Sequence, residues 1–173
     1  MAKKKRKIKG VQTKSTFPGL MVSDRVELED IRLISSKCSQ TPEASMGKKT
    51  YNIDYSAKVH PDKKNGYIIV TPEFHFEAFR EESKIQKPAI LIDASFVLAY
   101  KIDSFKGLTQ KGFEQFANLN GIYNAWPYWR EFVQNTIVRM GLSSLSIPVF
   151  RIVEPPKEKV PKKKVTKKVS GKI

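Results

Sequence analysis

The sequence predicts an α+β domain: a four-stranded antiparallel sheet, read as a meander, followed by a short helical segment and a long amphipathic helix packed on the sheet. Three observations carry this. Up to Asp103 the apolar residues of the body alternate with polar ones at period two, beyond it they recur at steps of three and four, and the connections between the alternating segments are short.

The first strand is expected over roughly Arg25 to Lys37. Val26 and Leu28 hold one phase, then Ile31 and Leu33 take the other, a slip that a β-bulge near Glu29 and Asp30 produces. The second strand is clearer, since Tyr51, Ile53, Tyr55, Ala57 and Val59 alternate with Asn52, Asp54, Ser56 and Lys58, placing the first set on a buried face. Pro61 to Gly66, ending in Asn65-Gly66, supplies a turn. Tyr67 to Glu82 returns as the other arm of a long hairpin, with Ile68, Val70, Phe74, Phe76 and Ala78 on one face and Thr71, Glu73, His75 and Glu77 on the other. Pro72 lies inside that arm and predicts a sheet edge or a bulge, because proline cannot donate to the ladder. In the fourth strand, Pro88 to Asp103, Ile90, Ile92, Ala94, Phe96, Leu98, Tyr100 and Ile102 share a face. Its other face begins polar at Asp93 and Ser95 and turns apolar at Val97 and Ala99, so part of it is expected to be covered.

Leu108 to Ile122 reads as a short helix or irregular segment broken by Gly112 and Gly121. A firmer helix runs from Asn124, an expected N-cap with Pro127 in the first turn, to Met140, with Gly141 suited to the C′ position. Trp126, Trp129, Val133, Ile137 and Met140 form the apolar stripe of this helix, which is about 24 Å long. Phe132, Thr136 and Val138 fall off that stripe. One sheet cannot bury both faces, so a second copy of the chain is the expected cover.

The 173 residues carry 32 Lys plus Arg against 17 Asp plus Glu, a formal charge of +15, with an ordinary 40% of hydrophobic residues. That charge is concentrated at the ends. Residues 1–16 hold seven basic side chains and no acid, and residues 154–173 hold eight lysines against Glu154 and Glu158. Both segments lack the apolar content that offsets the entropy of ordering, so they are read as disordered tails on a domain spanning 17–153, itself close to neutral. With one cysteine, Cys38, no intramolecular disulfide forms, and a reducing compartment is expected. No apolar run approaches the ~20 residues of a membrane-spanning helix, and the basic start is not followed by the apolar core of a secretory signal.

Catalytic chemistry is not expected. Cys38, His60 and His75 share no metal-ligand spacing, no glycine loop suits a phosphate, and no cofactor is implied. His75 between Glu73 and Glu77 can be drawn as an acid/base site, but alternation alone brings these side chains together on a solvated face. Cys38 lacks an identifiable base or helix N-terminus to activate it.

The segment Asn124-Ala-Trp-Pro-Tyr-Trp-Arg-Glu-Phe-Val-Gln-Asn-Thr-Ile-Val-Arg-Met-Gly, followed by Leu142-Ser-Ser-Leu-Ser-Ile-Pro-Val-Phe, resembles the signature of the SecB family of protein-export chaperones. There an aromatic-Pro-Tyr-x-Arg-Glu helix ends at an Arg-x-Gly step before an apolar, proline-containing loop, here Trp126, Pro127, Tyr128, Arg130, Glu131, Arg139, Gly141, Leu145, Ile147 and Pro148. Glu29-Asp30-Ile31-Arg32-Leu33 resembles the family's first strand and Leu91-Ile92-Asp93 a step in its fourth; the likeness covers roughly residues 22–152.

The resemblance implies four antiparallel strands and a long helix, assembly as a homotetramer (a dimer of dimers), and an ATP-independent holdase that keeps unfolded or pre-secretory chains from aggregating by binding them in apolar grooves. It points to Phe105, Leu108, Phe113, Phe116, Tyr123, Leu142, Leu145, Ile147 and Phe150 as polypeptide-binding residues. Trp126, Trp129, Phe132, Thr136 and Val138 are the implied oligomer contacts. Asp30, Leu91 and Asp93 match the surface on which the translocase ATPase SecA docks, although Ile34 replaces an expected acid and the basic tails oppose a basic partner. Some SecB-like proteins instead serve the antitoxin of a toxin–antitoxin system, which makes an antitoxin the alternative client. The double proline Pro155-Pro156 argues against the second helix that family members carry. From a different class, the tails could bind nucleic acid or another polyanion non-specifically, since they offer charge but no aromatic stacking platform.

Overall fold

The computed structural model describes residues 18–81 and 87–151. The expected tails, 1–16 and 154–173, and the end of the second hairpin arm at Glu82 lie outside the described residues. The elements run α1 (Pro18–Ser23), β1 (Val26–Gln40), a 3-10 turn (Pro42–Ser45), β2 (Lys49–Asp62), β3 (Tyr67–Arg80), β4 (Ile90–Ile102), α2 (Gln110–Phe116), a π-helical turn (Ala117–Gly121) and α3 (Ile122–Arg139).

All four strands are antiparallel, in the spatial order β1-β4-β3-β2. β2, β3 and β4 form a meander as expected. β1 lies against β4 rather than β2, because the link through Pro42–Ser45 is long enough to cross the end of the sheet, a span of roughly 14 Å at three strand spacings. Consequently β1 and β2 are the two edges.

The predicted bulge in β1 is present: the register with β4 shifts between Leu28 and Asp30, and shifts again between Leu33 and Ser35. At the β2–β3 turn, Asp62 accepts from the Asn65 backbone N–H at 3.2 Å and from its side-chain amide at 2.7 Å, and Gly66 takes φ +76°, which a side chain disfavours. The expectation for Pro72 needs correction. β3 is central, and its register with both neighbours is unchanged on either side of Pro72. The missing N–H is absorbed as a lapse of the β4 ladder at Thr71 and Pro72, with pairing held on both sides of it.

The helical region differs from its sequence reading in one respect. α2, the π turn and α3 join into one uninterrupted helical run from Gln110 to Arg139, so Asn124 is not an N-cap. The cap is Thr109, whose Oγ1 accepts from the Gly112 N–H at 3.2 Å, and Asn124 instead donates from its side-chain amide to the Tyr100 hydroxyl at 2.9 Å. Gly121 appears as a helix breaker in sequence but serves as a contact point. The end is as expected: Gly141 at φ +74° donates to Val138 O at 3.0 Å and Leu142 to Ile137 O at 3.2 Å, the paired bonds of a Schellman cap.

The core lies between this helix and the inner faces of β3 and β4. Ile68, Val70, Phe74 and Phe76 from β3 and Ile92, Phe96, Leu98 and Tyr100 from β4 meet Phe116, Ile122, Trp129, Val133 and Ile137, all buried. Phe74 stacks on Trp129 with ring centroids 5.1 Å apart and planes within 8°. α1, which sequence periodicity does not announce, packs on α2, burying Val22 and bonding the Gly19 N–H to Gln115 Oε1 at 3.2 Å. Among the described residues, no helix is long and apolar enough to cross a membrane.

Candidate polypeptide-binding groove

A helix with its side chains is about 10–12 Å across, and strands are spaced about 4.8 Å apart. One helix therefore covers two central strands and leaves the flanks of a four-stranded sheet open. Here α2 and the π turn also reach β2, where Ala57 and Val59 are half-buried, while the stretch of β2 that holds Tyr51 and Tyr55 stays open, as does β1. The inner residues of β3 and β4 are buried throughout, whereas those of β2 and β1 are half-buried or exposed. On β2 the aromatic residues read from sequence as buried remain partly open, Tyr51 at 37% and Tyr55 at 47%.

The β2 flank is turned into a groove by residues 142–151. After the Gly141 cap this segment forms no helix and doubles back along α3. Two hydrogen bonds hold it: Trp126 Nε1 donates to Pro148 O at 2.9 Å, and Arg130 Nε donates to Ile147 O at 2.7 Å. Ile147 is buried beneath it. At one end of the groove a cavity of about 270 Å³ opens between Tyr51, Phe76, Ile137, Leu142 and Leu145, with Lys49 at its rim. At the other, a cavity of about 250 Å³ lies among Tyr123, Trp126, Arg130, Val149 and Phe150. Between them Phe150 packs against Tyr55 at 5.6 Å and Trp126 at 5.1 Å, centroid to centroid.

The side chains expected to bind polypeptide therefore divide. Tyr123, Leu142, Leu145 and Phe150 line this groove. Phe113, Phe116 and Ile147 are buried in the core and offer no free surface. Phe105 and Leu108 are half-buried at the entry to α2, where the Phe105 ring meets Phe113 at 6.1 Å, away from the groove. Sequence reasoning missed Lys49, Tyr51 and Tyr55. Their alternation was legible; their accessibility depends on β2 being an edge.

The expected oligomer contacts divide similarly. Trp126 and Trp129 are buried against this chain's own sheet, so they are internal contacts and the expectation that they meet a partner is corrected. Phe132 and Thr136 face the opposite, β1 flank, where they line a cavity of about 240 Å³ with Ile31, Leu33, Phe96 and Tyr128. Val138 is exposed, as are Leu33 and Ile34 on β1, Ile34 at 57%. Among the described residues β1 is also an unpaired sheet edge.

On the outer sheet face, His75 bonds through Nδ1 to Asp93 on β4 and through Nε2 to Glu77 Oε1 at 3.0 Å. Glu73 is engaged elsewhere, with Lys58 Nζ at 2.6 Å. The Glu77 and Asp93 carboxylates hold the His75 pKa above its ordinary value against a smaller opposing effect of burial. Asp93 thus reaches His75 across the ladder, a pairing that sequence spacing could not reveal. Of the other expected docking positions, Asp30 pairs with Arg32 Nε at 2.7 Å and Leu91 is half-buried. Val97 and Ala99 are half-buried too, without any described element over them. Partial burial, with Asp93 nearby, pushes the Cys38 thiol pKa up despite a hydrogen bond to Thr136, which disfavours a reactive thiolate. Burial raises the Tyr100 hydroxyl to about 12. Among the described residues no group of His, Cys, Asp and Glu is arranged to hold a metal ion.

No protein-family model matches the sequence, and no curated protein does. Among solved structures, the chain is similar to a Mycobacterium tuberculosis SecB-like chaperone in complex with a ChAD peptide from the HigA1 antitoxin. The TM-score is 0.68 at 18% identity, over 79% of this chain and 99% of that one. A Streptococcus agalactiae protein of unknown function superposes at TM-score 0.36 and 10% identity, over 71% of this chain and 96% of that one, too loosely to carry an argument. The chain has the SecB-like fold.

Proposed function

We propose that this protein is an ATP-independent holdase that captures unfolded polypeptide in the groove between β2, α3 and residues 142–151. The observation that carries this reading is the partly open aromatic wall of that groove, Tyr51 and Tyr55 facing Leu142, Leu145 and Phe150, beside a strand edge that is unpaired among the described residues. An extended client can contribute main-chain hydrogen bonds to the edge of β2 and apolar side chains to the cavities. The likeness to a chaperone supports it.

An antitoxin is the client we favour over a broad set of export precursors, because the similar Mycobacterium protein is a complex with an antitoxin peptide. The expected SecA surface gives less support, since Asp30 and Asp93 are already paired within the chain. Assembly is part of the proposal: the unpaired β1 edge with Leu33, Ile34, Phe132 and Thr136 suits a second copy, and repeated grooves on an oligomer would give avidity for one long client. Non-specific polyanion binding by the basic ends is an accompanying property.

The test compares the full chain with residues 17–153. Suppression of aggregation by a denatured client should survive trimming, while salt-sensitive binding to heparin or DNA should disappear. Loss of suppression on trimming would assign client capture to the tails. Co-expression tests the client: an antitoxin whose solubility is indifferent to this chain counts against the favoured assignment.

A further inference from the structure

The cavity at the Tyr51 end of the groove has a walled apolar floor and a rim of a different character. Tyr51, Phe76, Ile137, Leu142 and Leu145 supply the floor, whereas Lys49, Ser45, Ser143 and Ser144 stand at the mouth. At about 270 Å³ it lies below the ~300–1,000 Å³ of typical small-molecule sites and is sized for one large side chain.

Lys49 is positioned rather than free to wander. It opens β2, is half-buried, and its Nζ donates to Gly47 O at 3.2 Å and Met46 O at 3.4 Å. Gly47 at φ +65° turns the chain there, which places both carbonyls on the same ammonium. Among the described residues two of the three ammonium donors are thereby used. Among the described residues Lys49 forms no ion pair. A partly desolvated cation beside an apolar cavity favours a carboxylate arriving with an apolar group and disfavours a second cation.

Resting on the holdase reading above, we propose that this cavity is an anchoring subsite for a large apolar client side chain whose immediate neighbour in sequence is Asp or Glu, with Lys49 as the residue that selects the acid. The apolar floor supplies affinity and the rim supplies choice. A client segment rich in lysine at that position is rejected.

Fluorescence anisotropy of labelled, C-terminally amidated peptides with the full chain tests this. Each peptide carries one Leu-Phe core with Asp, Asn or Lys next to it, plus a version with the Asp moved four residues away. The Asp peptide should bind about five- to tenfold tighter than the Asn peptide, with Lys weakest. Lys49→Met, which keeps the aliphatic stem, should bring the Asp and Asn peptides to equal affinity; Lys49→Glu should reverse their order. Equal affinities for Asp and Asn, a preference that survives Lys49→Met, or an equal benefit from the distant Asp would overturn the subsite, the last assigning the effect to the basic tails. A peptide with a free C-terminus and no acid that outbinds the Asp peptide would show that the rim reads a terminal carboxylate instead. Failure of every peptide to bind contradicts the holdase reading itself.

Discussion

A Cβ placed on Gly121 would lie 2.6 Å from Val70 Cγ1, so the π turn crosses β3 at a point where only a hydrogen fits. The π turn and Gly121 belong together: the extra residue of the turn swings the helix axis so that α3 continues onto the core, and the close approach forbids a side chain.

Gly121→Ala should therefore destabilise the fold by about 1–3 kcal/mol through overpacking, in spite of alanine's better helix propensity. Val70→Ala in the same chain should recover part of that loss. Chemical denaturation of the two single variants and the double variant measures the coupling, and strictly additive losses would show that the two residues do not meet as described.

His75 sits between two carboxylates, and its pKa is raised in the folded chain. A raised folded-state pKa contributes stability that is fully present below the ordinary value of about 6.5 and is lost as pH rises through the folded value. The melting temperature of His75→Gln should fall furthest below wild type near pH 5.5 and approach it near pH 9. A gap that is constant or widens with pH would contradict the assigned bonds.

The strap over the groove hangs on Trp126 and Arg130. Trp126→Phe and Arg130→Lys each remove the ring or guanidinium N–H that bonds the strap, and each should cost about 1 kcal/mol. Hydrogen exchange should then accelerate over residues 142–151 while β3 and β4 keep their protection.

Much of this fold was legible in the sequence because the strands alternate cleanly and the Trp126 to Met140 stripe recurs at helical steps. The bulge near Glu29 was also legible, since a phase slip in an alternating strand leaves an apolar trace. The second shift, at Ile34, was not, because Ser35, Ser36 and Ser39 carry no such trace. Pro72 misled for a physical reason: it forbids one hydrogen bond, not a central position, and a lapse in one ladder costs less than exile to an edge. The groove was half legible. Leu142, Leu145 and Phe150 came with the family resemblance, in an apolar loop after a capped helix, but Lys49, Tyr51 and Tyr55 become accessible only through the strand order, which depends on where the Pro42–Ser45 link crosses. Phe113 and Phe116 look like groove residues until α1 and Tyr100 cover them.

The central claim is that the aromatic groove of β2 and residues 142–151 holds unfolded chains. Light scattering of a chemically denatured client, diluted without nucleotide into wild type or into Tyr55→Ala/Phe150→Ala, tests it most directly. Tyr55 and Phe150 contact each other and line the groove, and neither is fully buried. Wild type should suppress scattering at near-stoichiometric ratio, and the double variant should lose most of that suppression while its secondary structure is retained by circular dichroism. Equal suppression by a folded double variant, or none by wild type, would contradict the account.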